Sequence, residues 1–104
     1  MSIAKNWKAV SISGMAGYEL IVTGEANVGI LTVEPELEKR VPQGFNPAIL
    51  LLDLLNAEDA IPERFRPVRY NEKIDKEDRY EEVEIFHKGK SIERIKVRIV
   101  EHSS

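Results

Sequence analysis

Asn46-Pro47-Ala48-Ile49-Leu50-Leu51-Leu52-Asp53-Leu54-Leu55 is the longest apolar run in the chain, and its reading decides the fold. Any compact arrangement has to bury much of it. Read as a helix, Asn46 would cap the N-terminus, Pro47 would fill the first turn, and the leucines would carry the helix to about Ala57. Such a helix would be apolar almost all the way round, with Asp53 its only polar residue before Asn56. A chain this short rarely encloses a helix on every side. Read as a strand, Leu50, Leu52 and Leu54 share one face, and Ile49, Leu51, Asp53 and Leu55 the other. The flanking segments alternate with period two and one fold has to satisfy them all, so the strand is preferred. A helix over 47–57, giving an α+β protein, is the alternative.

Before the run, residues 7–13 read as a first strand with Val10 and Ile12 on one face. Gly14 and Gly17 break it. Tyr18, Leu20 and Val22 then alternate with Glu19, Thr23 and Glu25, the clearest half-buried strand in the chain. Asn27 to Gly29 suggests a turn or bulge, and residues 29–33 a short third strand. From Glu34 to Pro47 the pattern is lost. Pro35, Pro42 and Pro47 withhold backbone donors, so this stretch reads as an ordered surface excursion, partly extended along an edge.

After the run come a loop over residues 56–62, a strand over 66–72 that starts near Pro67, and a polar turn over 75–78. Two strands, about 80–87 and 90–101, are joined by Lys88-Gly89, which suits a type I′ hairpin. That turn pairs His87 with Lys90, but carried on unchanged it would set Glu84 opposite Glu93. Ile92 is out of phase with Ile95, Val97 and Ile99. One extra residue near Glu93, a β-bulge, restores the phase and sets Glu82 opposite Lys96, Val83 opposite Ile95 and Glu84 opposite Arg94.

About seven short strands joined by Gly- and Pro-bearing turns point to an all-β fold, an antiparallel two-sheet β-sandwich. Its plan resembles the immunoglobulin and fibronectin type III architectures, and a likeness of architecture implies no activity. The 104 residues form a single domain spanning 1–104. Fifteen basic residues stand against 18 acidic ones, for a net charge of −3, which argues against general nucleic-acid binding and against attachment to anionic membranes. No apolar run reaches the roughly 20 residues of a membrane helix. The first residues lack the apolar core of a signal peptide, so a cytoplasmic location is expected. The absence of cysteine excludes disulfides, thiolate chemistry and the usual structural zinc sites.

No catalytic, cofactor-binding or metal-binding residue stands out. His87 lies at a strand end and His102 near the chain end, and no serine sits in a nucleophile-elbow context. Asp75, Glu77 and Asp78 are close together, but Lys73, Lys76 and Arg79 interrupt them and no calcium-loop spacing is present. Gly14 and Gly17 lack the Gly-Lys-Ser/Thr ending of a phosphate loop.

Two surfaces remain. Arg64-Phe65-Arg66-Pro67-Val68-Arg69-Tyr70 packs three arginines among two aromatics, which suits a small anionic ligand or carbohydrate held by Arg64, Arg66, Arg69 and Tyr70. Stacking of single-stranded nucleic acid on Phe65 and Tyr70 is a weaker version, opposed by the net charge. The bland reading is local salt bridging to nearby glutamates. In a sandwich the leucine strand buries one face, so Ile49 and Leu51 are either covered by the 34–47 excursion or exposed for a partner. The sequence therefore favours a non-enzymatic protein–protein interaction or assembly module that contacts another protein or a second copy of itself. A binding domain built on residues 64–70 is the alternative.

Overall fold

The computed structural model describes residues 3–101, with the side chains of residues 3–100. Seven strands and no helix are present among them: β1 (Ala4–Gly14), β2 (Gly17–Asn27), β3 (Glu36–Lys39), β4 (Ile49–Leu55), β5 (Phe65–Ile74), β6 (Glu82–His87) and β7 (Lys90–Glu101). The leucine run is therefore a strand, and the helix alternative over 47–57 is overturned. The strands form one hydrogen-bonded order, β3-β4-β6-β7-β1-β2-β5, whose two ends approach each other so that the sheet nearly closes.

The expectation of two purely antiparallel sheets needs correction. The sheet is single and mixed, with β4–β6 and β1–β7 parallel. After β4 the chain crosses to pair β5 with β2, then returns to lay β6 beside β4 in the same direction. Period-two patterning fixes which face of a strand is buried but not its direction, so the parallel pairs left no trace in the sequence. The molecule measures 43 × 33 × 19 Å along its principal axes, and the nearly closed sheet wraps one core.

That core is built on β4. Leu50, Leu52 and Leu54 are buried, and they join Leu20 and Val22 of β2, Val68 of β5, and Val83 and Ile85 of β6. The outer residues Ile49, Leu51, Asp53 and Leu55 are half-buried, the alternation read from the sequence. On β1, Val10 and Ile12 share one face as read from the sequence, and it is the outer one, with Ala9 and Ser11 facing inward. Two local features account for this. A bulge between Lys5 and Lys8, with Asn6 at φ 58°, shifts the strand's phase. Ser11 is satisfied inside, its hydroxyl donating to the Glu77 carbonyl at 2.7 Å. Trp7, within the bulge, lies against the backbone of Gly24, where a Cβ would come within 2.3 Å of the ring.

The short strand over 29–33 does not form. Val28 and Leu31 close a turn instead, with the Leu31 N–H donating to the Val28 carbonyl at 2.8 Å and Gly29 at φ 53°. The missing strand lies inside the 34–47 excursion as β3, an edge strand that begins just after Pro35 and pairs only with β4.

The hairpin matches its sequence reading closely. Lys88 and Gly89 both have positive φ, as a type I′ turn demands. His87 pairs with Lys90, Glu84 with Arg94, Val83 with Ile95 and Glu82 with Lys96, leaving Ile92 as the extra residue of a bulge. Arg94 reaches diagonally to grip both oxygens of Glu82, at 3.1 and 3.0 Å.

If this register is right, neighbouring leucines of β4 differ sharply. Leu52→Ala should cost about 2–5 kcal/mol in urea unfolding, by loss of buried area and creation of a cavity. Leu51→Ala should cost about 1 kcal/mol or less because its side chain keeps part of its solvent contact. Equal losses would refute the assigned inner and outer faces.

Candidate functional site

The gap between the two ends of the sheet is bridged by side chains. On β5, alternation turns Val68, Tyr70, Glu72 and Ile74 inward, and on β3 it does the same to Leu37 and Lys39. Glu72 gathers three donors. Tyr70 Oη donates to Oε1 at 2.6 Å, Tyr80 Oη to Oε2 at 2.7 Å, and Lys39 Nζ lies 3.3 Å from Oε1. Lys39 also donates to Tyr80 Oη at 3.2 Å. A shallow cleft of about 230 Å³ opens over this cluster, lined also by Lys73, Asp75 and Arg79.

Burial alone would raise the Glu72 pKa, but the hydrogen bonds from Tyr70, Tyr80 and Lys39 outweigh it and hold the carboxyl below its ordinary value. Burial, reinforced by the bond to Glu72, pushes both tyrosines up. Lys39 is pulled down by burial and more than restored by Tyr80 and Glu72, ending above its ordinary value. Near neutral pH the carboxylate is thus held charged, the phenols neutral and the amine charged, each already engaged by the others. No member of the set is tuned toward neutrality as a general base would be. What the cluster does is fasten β3 to β5.

The second region is the outer face of β4. Residues 40–48 fold back over it, and Gln43 acts like a strand partner. Its Oε1 accepts the Leu51 N–H at 3.0 Å, and its Nε2 donates to the carbonyls of Leu51 at 2.9 Å and Arg40 at 2.7 Å. The Arg40 guanidinium binds Asp53 at 2.9 Å and lies 4.4 Å from the centre of the Phe86 ring. Gly44 sits so close to Leu51 that an added Cβ would be 3.3 Å from its Cδ1. Ile49 and Leu51 are therefore half-covered by this segment. The cover itself carries Phe45, fully exposed, and Val41, 90% exposed.

The arginine segment does not converge on one place. Arg64 donates to the Leu31 carbonyl and Arg66 pairs with Glu34, so both secure the loop before β3. Arg66 Nε is buried without a hydrogen-bond partner. Arg69 lies on the outer face and donates to Asn71 at 2.8 Å, while Tyr70 points the other way into the Glu72 cluster. Phe65 lies beneath the Lys5 ammonium, 4.1 Å from ring centre to nitrogen.

His87 Nε2 donates to the Ala57 carbonyl at 2.9 Å, and His102 lies outside the described residues. Asp75 is 3.9 Å from Arg79, and no group of three acidic or histidine side chains among the described residues could hold a metal ion. No helix of the described residues is long and apolar enough to cross a membrane.

The sequence reading placed a turn at Asn27 to Gly29 but not the organising role of the Asn27 side chain, and it missed Gln43 and Lys39 altogether. Gln43, between Pro42 and Gly44, carries no comparable signal. Lys39 looked like one charge in a solvated run, because β3 itself was not seen.

Comparison with known proteins finds no matching family model, curated protein or solved structure.

The Glu72 cluster implies a two-sided pH dependence. A carboxyl with a lowered folded-state pKa stabilises fully above its ordinary value of 4.5, and this is lost as pH falls through the lowered value. Tyr70, Tyr80 and Lys39, with raised values, stabilise fully below about pH 10 and lose that contribution as pH rises further. In urea unfolding followed across pH, Glu72→Gln should be less stable than the natural chain at pH 7. The difference should shrink at low pH. A gap that stays constant down to pH 2 would mean that Glu72 is not the acid-sensitive group.

Proposed function

We propose that this domain is a non-enzymatic protein-interaction or assembly module, and that its contact surface is the outer face of β4 with the segment folded over it. One observation carries the reading. Phe45 and Val41 are held almost wholly in solvent by a segment that is tied down at its middle by Gln43. Large apolar side chains on an anchored loop lose little entropy on binding, and clustered exposure of this kind marks protein contact sites. Ile49, Leu51 and Leu55 extend the surface with half-buried apolar area. The flattened shape, 19 Å at its thinnest, supports reading the domain as a sandwich-like binding module.

The rival reading, a small anionic ligand or carbohydrate held by Arg64, Arg66, Arg69 and Tyr70, has less support. Those side chains leave their strand in different directions and already have partners.

Sedimentation velocity over a wide concentration range tests the proposal. The natural chain should dimerise with increasing concentration, and both Phe45→Ser and Leu51→Glu should keep it monomeric. Phe45→Ser should leave the urea midpoint unchanged, since the side chain touches no core. A natural chain that stays monomeric throughout would remove self-contact and leave a foreign protein as the partner. Dimerisation unaffected by either substitution would remove this surface.

A further inference from the structure

β1 and β7 are paired only where Ala9–Ser13 meets Val97–Glu101. Ahead of that ladder β1 bulges at Asn6–Trp7 and stays with β2, while β7 stays with β6, so the two strands part. The opening is a cleft of about 270 Å³. Its floor is apolar. Trp7 and Ile95 rest on the core there, and the Trp7 ring occupies the space that a side chain at Gly24 would need. Its lip is cationic. Lys8 and Lys96 stand one step before the Ala9–Val97 pair, Arg98 stands opposite Val10, and all three are exposed. None of the three is in an ion pair among the described side chains, whereas Arg40, Arg66 and Arg94 each are. Glu82 lies across the ladder from Lys96, but Arg94 occupies both of its oxygens, and no acidic side chain lines the cleft. Like charges gathered on neighbouring strands repel, so an anion at this lip would relieve a standing cost.

We infer that this cleft binds an aryl phosphate monoester, with the ring against Trp7 and Ile95 and the phosphate among Lys8, Lys96 and Arg98. Ligand pockets run from about 300 to 1,000 Å³, so an opening at the small end of that range takes a single ring and not a nucleotide. A flat ring suits stacking beside an indole that its neighbours hold in one orientation. The lip decides the other half of the ligand. A phosphate monoester carries about −1.5 to −2 charges near neutral pH and offers three acceptor oxygens, against one charge and two oxygens for a carboxylate. Arginine meets such a group bidentately and lysine as a point charge, which is the mixture present here. The chain's net charge of −3 does not oppose this, because the field that a small anion meets in a cleft is set by the groups lining it. β6 and β7 separate the site from β4, so it stands or falls independently of the protein-contact surface there.

Trp7 is the sole tryptophan, so its fluorescence reports the cleft directly. The full chain is titrated with phenyl phosphate and, separately, with phenol and with inorganic phosphate. Phenyl phosphate should change the emission saturably, at concentrations about ten-fold below those of either fragment, since ring and charge act together. Binding should weaken as salt is raised. Lys8→Gln and Arg98→Gln, both at exposed positions, should each weaken it by about three-fold without lowering the urea midpoint. Backbone amide shifts in NMR spectra should centre on residues 7–10 and 95–98. A glycine-flanked phosphotyrosine peptide separates the two sources of such a group. Binding as tight as that of phenyl phosphate, or tighter, assigns the site to a modified side chain, and weaker binding assigns it to a free small molecule. No saturable change, phenol or inorganic phosphate binding as tightly as the ester, or shifts centred on Lys39 and Arg79 in place of the cleft would each overturn the inference.

Discussion

A sheet that almost closes leaves two strand ends facing each other without a backbone ladder, and here one carboxylate holds them together. Glu72 binds a lysine from β3, a tyrosine from its own strand and a tyrosine from the loop before β6. A carboxylate drawn partly out of water is costly unless its oxygens are satisfied, and these receive charged and phenolic donors at short range. Without this group, β3 would hang on four residue pairs with β4, and β5 would expose its free edge. The core leucines supply the driving force for collapse. The Glu72 cluster determines that the collapsed sheet has this circumference.

The loops are governed by the same principle on a smaller scale. Asn27 is fully buried, and its side chain accepts the N–H groups of Gly29 and Arg64 and donates to the Ala60 carbonyl. Its main chain meets Ile3 and Glu58. One residue thereby fixes the start of the chain, the loop after β2 and the loop before β5. Ser11 and Gln43 do similar work for the loop before β6 and the cover over β4. Small polar side chains substitute for backbone partners wherever a loop has to cross the sheet. The apolar residues that cannot be buried, such as Ile30, Ile61 and Phe45, are displaced to loops secured in this way.

Features with a local cause were legible in the sequence. The β4 alternation follows from side-chain period, and the bulged hairpin follows from Lys88-Gly89 together with the phase break at Ile92. The direction of strands was not legible, because parallel and antiparallel neighbours share one pattern. Which face of β1 turns inward was not legible either, because it depends on a bulge at Asn6–Trp7 and on a non-local partner for Ser11. The Glu72 cluster was hidden for a different reason. Its members are 41 residues apart at the extreme, and each alone resembles ordinary strand or surface chemistry. Non-local polar pairing has no period to detect.

The position of β7 has a consequence for how the chain is made. It is the last strand in sequence and the fourth of seven across the sheet, where it joins β3-β4-β6 to β1-β2-β5. During synthesis β1 and β2 can form their hairpin early, but the two halves share no strand until β7 is available. Long-range pairing of this kind raises contact order and slows folding. Until β7 arrives, β6 and β1 both offer unpaired edges, so nascent chains pass through an interval of vulnerability to misassembly that the finished molecule no longer shows.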